Sequence, residues 1–191
     1  SVKGGCLIVN AGDNRVPVYR NSGELEYLEL TSSPSAGLFT TDLIKRKGGF
    51  VIDRINLKPG DALFFITDGL EESARNVRDE NGRNLETNEG YPMTETIGTG
   101  RITGIIEASF SGNHYRMELQ NVMGQVREYY MDFTEYGRTL RSAVDGLVAC
   151  DFLFHSYPDN ERFLTDASTD SILKKYVNGY SPSLESEKIR I

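Results

Sequence analysis

Cysteine and histidine are scarce in this chain, with two of each in 191 residues. Cys6 and Cys150 stand far apart, without a Cys-x-x-Cys pair or a Cys/His cluster. That excludes a thiolate metal site or redox pair assembled from neighbouring residues. Both read as buried free thiols rather than as a disulfide. His114 and His155 are too distant in sequence to define a catalytic pair, and each reads as a surface or boundary residue. Positive charge is also in short supply: 21 basic against 28 acidic side chains leave a net charge of -7. This removes the basic footprint of a nucleic-acid binder and disfavours an anionic membrane surface. With no apolar run of spanning length and no signal-peptide pattern, the expectation is a cytoplasmic protein without direct membrane contact. A Gly-x-x-x-x-Gly-Lys-Ser/Thr loop is missing, and Gly98-Thr99-Gly100 does not follow a strand as a dinucleotide fingerprint must.

What is present describes an ordinary globular chain, 38% apolar and 26% charged. The length suits one domain over 1–191 with a substantial core. Apolar runs at residues 6–9, 16–20, 25–30, 50–57 and 62–67, separated by turn residues, read as four or five neighbouring antiparallel strands within a strand-rich part, 1–76. Residues 77–96 are polar and nearly free of large apolar side chains. They read as a mobile loop, either a cover over a site or an ordinary surface insertion. Helical spacing then predicts a helical part over 97–178. Ile102, Ile105, Ile106 and Phe110 form one stripe; Leu119, Val122, Met123, Val126 and Tyr130 a second; Leu140, Ala143, Val144, Leu147, Val148 and Phe152 a third. A short last helix is expected over 169–178, and residues 179–191 read as a frayed tail. Residues 129–133 fit a strand as well as a helix, because aromatic side chains favour a pleated surface. Strands first and helices second give an α+β class, an antiparallel sheet packed with helices.

The most informative segment is Gly60-Asp61-Ala62-Leu63-Phe64-Phe65-Ile66-Thr67-Asp68-Gly69. A continuous apolar run between turn signals reads as a strand covered on both faces. It ends in Asp68, so a carboxylate stands at the lip of a buried strand. An acid held there can face solvent and bind a hard cation. Asp-Gly is also a common turn dipeptide, which is the plain alternative. Gly69 suits either reading, and Thr67 lends backbone at the same turn. Asp61, at the other end of the run, reads as a turn residue. Glu71 and Glu72 suit the positive end of a following helix, with a supporting metal contact as the sharper reading.

Asn10-Ala11-Gly12, Asn21-Ser22-Gly23, Ser35-Ala36-Gly37-Leu38-Phe39, Leu57-Lys58-Pro59-Gly60-Asp61 and Ile66-Thr67-Asp68-Gly69-Leu70-Glu71-Glu72 occur in order. Over residues 5–76 this set resembles the metal-dependent (PPM-type) serine/threonine protein phosphatases, in particular the bacterial branch named for sporulation stage II protein E. The resemblance implies a partial phosphatase-type α/β sandwich and a centre of two Mn²⁺ or Mg²⁺ ions on carboxylates. There a metal-bound hydroxide attacks phosphoserine or phosphothreonine of a regulator of alternative sigma factors. Asp68 matches one metal-ligand aspartate, and Asp13 is a second candidate in the loop after the first strand. Lys45-Arg46-Lys47 reads as a solvated basic loop or as a guide for a phosphopeptide.

The departures from the family pattern are equally definite. The early Gly-Asp motif and the Asp-Gly motif after it have no counterpart, and no Asp-Asp pair occurs. Asp166 and Asp170 fit the last family motif poorly. The expectation is therefore part of a phosphatase whose isolated chain is inactive, with a phosphorylated regulatory protein as the parent's partner. The alternatives are a catalytically degenerate binding or regulatory module, and a fragment whose exposed sheet edges pair with a second copy as a homodimer.

Overall fold

The computed structural model describes residues 4–11, 16–35, 37–79, 81, 83–120, 126–156 and 167–180. Elements are mixed, with small antiparallel sheets and five helices among these residues, in keeping with the α+β class. The chain divides into two compact units, Ser1–Asp68 and Gly69–Ile191.

In the first unit β1 (Gly4–Ile8) pairs antiparallel with β4 (Asp53–Leu57), Gly4 opposite Leu57 and Ile8 opposite Asp53. A second sheet places β2 (Val16–Tyr19) between β3 (Leu25–Leu28) and β5 (Ala62–Leu63). The expected run of neighbouring strands is thus two separate ladders. The β2–β3 hairpin closes through Gly23, whose φ of 95° only glycine adopts cheaply, and its amide donates to the Arg20 carbonyl at 2.8 Å. α1 (Thr41–Arg46) carries Asp42 in its first turn and Lys45 and Arg46 in its last. Those charges complement the helix dipole, a structural account of most of the basic cluster. Among the described residues of this unit, Ile8, Val16, Val18, Tyr19, Ile55 and Phe64 are the buried apolar ones.

The run before Asp68 differs from the expected two-faced strand. Ladder pairing stops at Leu63, after which the Phe64 amide donates to the Pro17 carbonyl at 2.9 Å. Phe64 is buried while Phe65 is 69% exposed, so one face of the segment is open. α2 (Asp68–Glu71) follows at once.

In the second unit β6 (Ala74–Asn76) pairs with β7 (Thr94–Thr96), and the strand-rich region therefore extends past residue 76. Residues 77–96, expected as an unstructured loop, are tied by main-chain hydrogen bonds. Val77 donates to Met93, Met93 to Leu85 and Leu85 to Val77 at 2.9, 2.7 and 3.0 Å, and bridges join Arg78 to Asn84 and Glu86 to Pro92. Such pairing needs backbone only, so the polar side chains do not oppose it.

α3 (Gly98–Ser111) confirms the Ile102/Ile105/Ile106 stripe, all three being buried. It ends at Gly112, left-handed at φ 68°, with the Asn113 amide capping the Ala108 carbonyl at 2.9 Å. The second predicted helical stripe is overturned: β8 (His114–Gln120) and β9 (Val126–Asp132) form an antiparallel ladder in which His114 faces Asp132. The reason is a period of two. Met117 and Leu119 are buried while Arg116 and Glu118 are exposed, and Met131 and Phe133 are buried on the return. α4 (Leu140–Ser156) and α5 (Ala167–Tyr176) complete the unit.

The core of this unit lies among α3, the hairpin, α4 and α5. Gly146 of α4 is packed so closely that a methyl group there would lie 2.8 Å from both Ile105 Cγ2 and Phe133 Cζ. The Phe133 and Tyr176 rings meet with centroids 5.3 Å apart. Cys150 is buried against Met117, sulfur to sulfur at 3.5 Å, and burial pushes its thiol up to about 12. Both cysteines are free. Among the described residues no helix is long and apolar enough to cross a membrane.

Candidate active site

The segment from Leu57 to Glu72 contains two aspartates with different fates. Lys58-Pro59-Gly60-Asp61 forms a turn in which the Asp61 amide donates to the Lys58 carbonyl at 3.0 Å and Gly60 sits at φ 91°. Proline second and a positive-φ glycine third are the needs of a type II turn. The Asp61 carboxylate then accepts three hydrogen bonds, each of 2.9 Å, from the Lys58 and Asn21 amides and from Arg20 Nη1. Its side chain is 2% exposed. The Lys58 amide first, then the Asn21 amide and the Arg20 guanidinium, hold its pKa down to about 2. Asp61 locks the β2–β3 turn to the turn before β5, a structural role for this acid.

Asp68, seven residues on, opens α2 with its side chain exposed, and Thr67 and Gly69 beside it are exposed as well. Glu71 is half-buried and Glu72 exposed. Antiparallel register brings the start of β2 and the stretch beyond Leu63 to one end of their ladder, since Val18 faces Leu63 and the Phe64 amide reaches Pro17. Asp13 lies outside the described residues. Among those described, no group of three or more His, Cys, Asp or Glu side chains could hold a metal ion. The residues described thus do not fit a two-cation centre. One exposed acid stands where the sequence resemblance asks for a ligand, without the companions that two hard cations require.

Three features of the second unit gave no sequence signal. Arg75, a buried residue, donates to Glu95 Oε2 through Nη2 at 2.7 Å and Nε at 3.2 Å. Arg101 binds Glu95 Oε1 and also donates to the carbonyls of Thr96, Ile97 and Glu118. Both guanidiniums lie over the Phe154 ring, 5.1 and 5.5 Å from its centroid. This ties β6, β7, α3, β8 and α4 together.

The third is Ser73, whose Oγ lies 2.6 Å from His155 Nε2, with Asp151 Oδ1 3.4 Å from the same nitrogen. A serine–histidine–acid relay requires the acid on the opposite ring nitrogen, where it fixes the tautomer. Hydroxyl and carboxylate here compete for one atom, so the trio pins the end of α4 to the residue before β6 and does not make a nucleophile. His155 is half-buried, the boundary position expected of it, while His114 is 60% exposed beside Asp132.

The α+β chain thus carries an exposed aspartate seven residues after the last position of its Lys-Pro-Gly-Asp turn. The family model for stage II sporulation protein E (SpoIIE) matches residues 1–97, half of the chain, and the chain belongs to that family. No curated protein and no solved structure matches the chain.

Proposed function

We propose that this chain is part of a metal-dependent phosphoserine/phosphothreonine protein phosphatase acting on a bacterial signalling regulator, with Asp68 as one ligand to Mn²⁺ or Mg²⁺. The reading is carried by the contrast between the two acids: Asp61 is consumed by three hydrogen bonds inside a turn, whereas Asp68 is exposed. Membership of the SpoIIE family supports the hydrolase class. Asp13, which lies outside the described residues, is the second acid to test, and Glu71 and Glu72 are supporting groups only.

The described acids do not gather in a group of three or more, and the expectation is that this chain alone has little or no phosphatase activity. The assay is hydrolysis of a phosphoserine peptide with Mn²⁺. Turnover by the 191-residue chain, abolished in Asp68→Asn, would overturn the incompleteness. In the reading frame that contains the chain, Asp68→Asn costs at least about 100-fold, because even groups that merely support a metal ligand cost 10–100-fold. Unchanged turnover in that variant refutes the role of Asp68.

The absence of a three-acid group among the described residues favours one second reading, a degenerate phosphatase-like module that binds a regulator without hydrolysing it. Calorimetry separates the two. Binding of the phosphorylated regulator that is indifferent to Mn²⁺ and to Asp68→Asn supports the module.

A further inference from the structure

α1 is a helix that its own unit leaves uncovered. None of its six residues is buried, although so short a helix has little stability of its own and ordinarily gains it by packing an apolar face. The segment from Leu38 to Ile52 carries seven large apolar side chains, and none of them reaches the core. Leu38 is 76% exposed, Ile52 61% and Phe50 45%, and Phe39 and Leu43 are exposed as well. Phe39, Leu43 and Lys47 follow one another at intervals of four, and Lys47 Nζ lies over the Phe39 ring, 4.9 Å from its centroid. The Gly49 amide donates to the Ile44 carbonyl at 2.9 Å, which folds the chain against the last turn of α1 so that Phe50 starts beside it. Lys45, Arg46 and Lys47 thus stand among open apolar side chains. The helix dipole accounts for basic residues in the last turn, but not for the apolar groups around them.

Charge is divided unevenly along the chain. Residues 1–68 hold eight basic and eight acidic side chains, so the whole surplus of seven acids falls in residues 69–191. The negative charge that argues against an anionic surface is therefore not a property of the unit that carries α1. Among the described residues, no ion pair engages Lys45, Arg46 or Lys47.

Cations beside free aromatic and aliphatic side chains are the two parts of an interfacial membrane contact. We infer that α1 and its flanking residues rest on an anionic lipid surface. Leu38, Phe39 and Phe50 enter the boundary between headgroups and acyl chains, and Lys45, Arg46 and Lys47 meet the phosphates. A lipid surface is a better occupant than an acidic protein because it demands no matching shape: side chains as open as Leu38 and Ile52 stand clear of the unit and do not line a groove. With three cations, each multiplying the partition about fivefold, the contact is reversible and salt-sensitive. It depends neither on Asp68 nor on catalysis.

Co-sedimentation of the full chain with vesicles tests this, using equal parts of phosphatidylcholine and phosphatidylserine against phosphatidylcholine alone. The expected result is binding to the anionic vesicles that fades between about 0.1 M and about 1 M salt, as the screening length falls from about 10 to about 3 Å. Lys45→Gln, Arg46→Gln and Lys47→Gln together lower it about 100-fold. Leu38→Ser with Phe39→Ser lowers it at least about tenfold, while far-UV circular dichroism is unchanged because these sites are exposed. The chain has no tryptophan, so Leu38→Trp supplies a reporter of that one position. Its fluorescence shifts to the blue on anionic vesicles, whereas that of Tyr91→Trp, at an exposed residue of the second unit, does not. No binding to the anionic vesicles, equal binding to phosphatidylcholine alone, or binding that the glutamine variant leaves intact overturns the proposal. So does an equal shift at both reporters. A chain that ignores both vesicles and instead retains an acidic protein through Lys45, Arg46 and Lys47 gives the patch to a protein and equally overturns it.

Discussion

Glu95→Gln is the sharpest probe of the second unit. Glu95 is the single carboxylate shared by Arg75 and Arg101, with side-chain exposures of 18, 7 and 19%. At 4 Å and an effective dielectric near 20, each charge pair is worth about 4 kcal/mol before desolvation is deducted. Removing one member of a buried pair costs about 3–5 kcal/mol, because the other charge stays behind. Here glutamine still accepts one hydrogen bond, Arg101 keeps its three carbonyl partners, and the Phe154 face attracts both cations. These reduce the expected loss to about 2–4 kcal/mol. Urea unfolding followed by tyrosine circular dichroism measures it, and hydrogen exchange assigns it to β6, β7 and α4. Replacing the whole triad, Arg75→Met, Glu95→Leu and Arg101→Met, is expected to cost much less than the sum of single removals, since hydrophobic replacement of a complete buried ion group is often neutral. A Glu95→Gln loss below about 1 kcal/mol, the range of surface ion pairs, would refute the network as a buried one.

Three further outcomes follow from named contacts. Asp61 has its pKa held near 2 against an ordinary 3.8, so its contribution is complete above about 4 and disappears as pH falls through 2. Asp61→Asn should flatten the acid limb of the unfolding curve between those values; an unchanged limb denies the turn its carboxylate clamp. Gly146→Ala places a methyl group 2.8 Å from Ile105 and Phe133, and overpacking of about 1–3 kcal/mol outweighs the up to about 1 kcal/mol of helix propensity gained. Net stabilisation of that variant would mean that α3 and α4 sit further apart. Phe133→Ala, at a fully buried ring packed on Tyr176, should cost about 3–5 kcal/mol in the same urea assay, and a loss under 1 kcal/mol would place the ring at the surface.

What could be read without coordinates depended on whether an element announces itself through side chains. The α3 and α5 stripes do so, because each helix buries one face and wets the other. For α4 the stripe is right in part: Ala143 and Leu147 are core as expected, joined by Cys150 and Phe154, whereas Leu140, Val144 and Val148 of the same stripe are exposed. Counting apolar residues at helical spacing cannot tell the inward face from an open one when both are apolar. The β8–β9 hairpin failed for another reason. Leu119, Val126 and Tyr130 fall at spacings compatible with a helix, while the alternation that decides the matter, Met117 and Leu119 inward with Arg116 and Glu118 outward, spans only four residues. In residues 77–96 the pairing is made by amides and carbonyls, which polar composition neither predicts nor forbids.

The candidate site shows the same limit in its chemistry. Within the candidate segment, glycine stands beside aspartate at Gly60-Asp61 and again at Asp68-Gly69, and composition treats the two alike. Only the long-range partners separate them: Arg20 and Asn21, some 40 positions away, neutralise and bury the first acid, while nothing comparable covers the second. A metal centre is built from side chains at several strand ends, so its assembly is a property of register rather than of any local motif. Val18 opposite Leu63 sets that register in this chain. Shifting it by one residue would turn Ala62 and Leu63 onto their other faces. On the proposed reading of Asp68 as a metal ligand, the Lys58–Asp61 turn and its Asp61 clamp hold the segment that leads to it, and Asp61→Asn is expected to weaken Mn²⁺-dependent turnover of the complete enzyme.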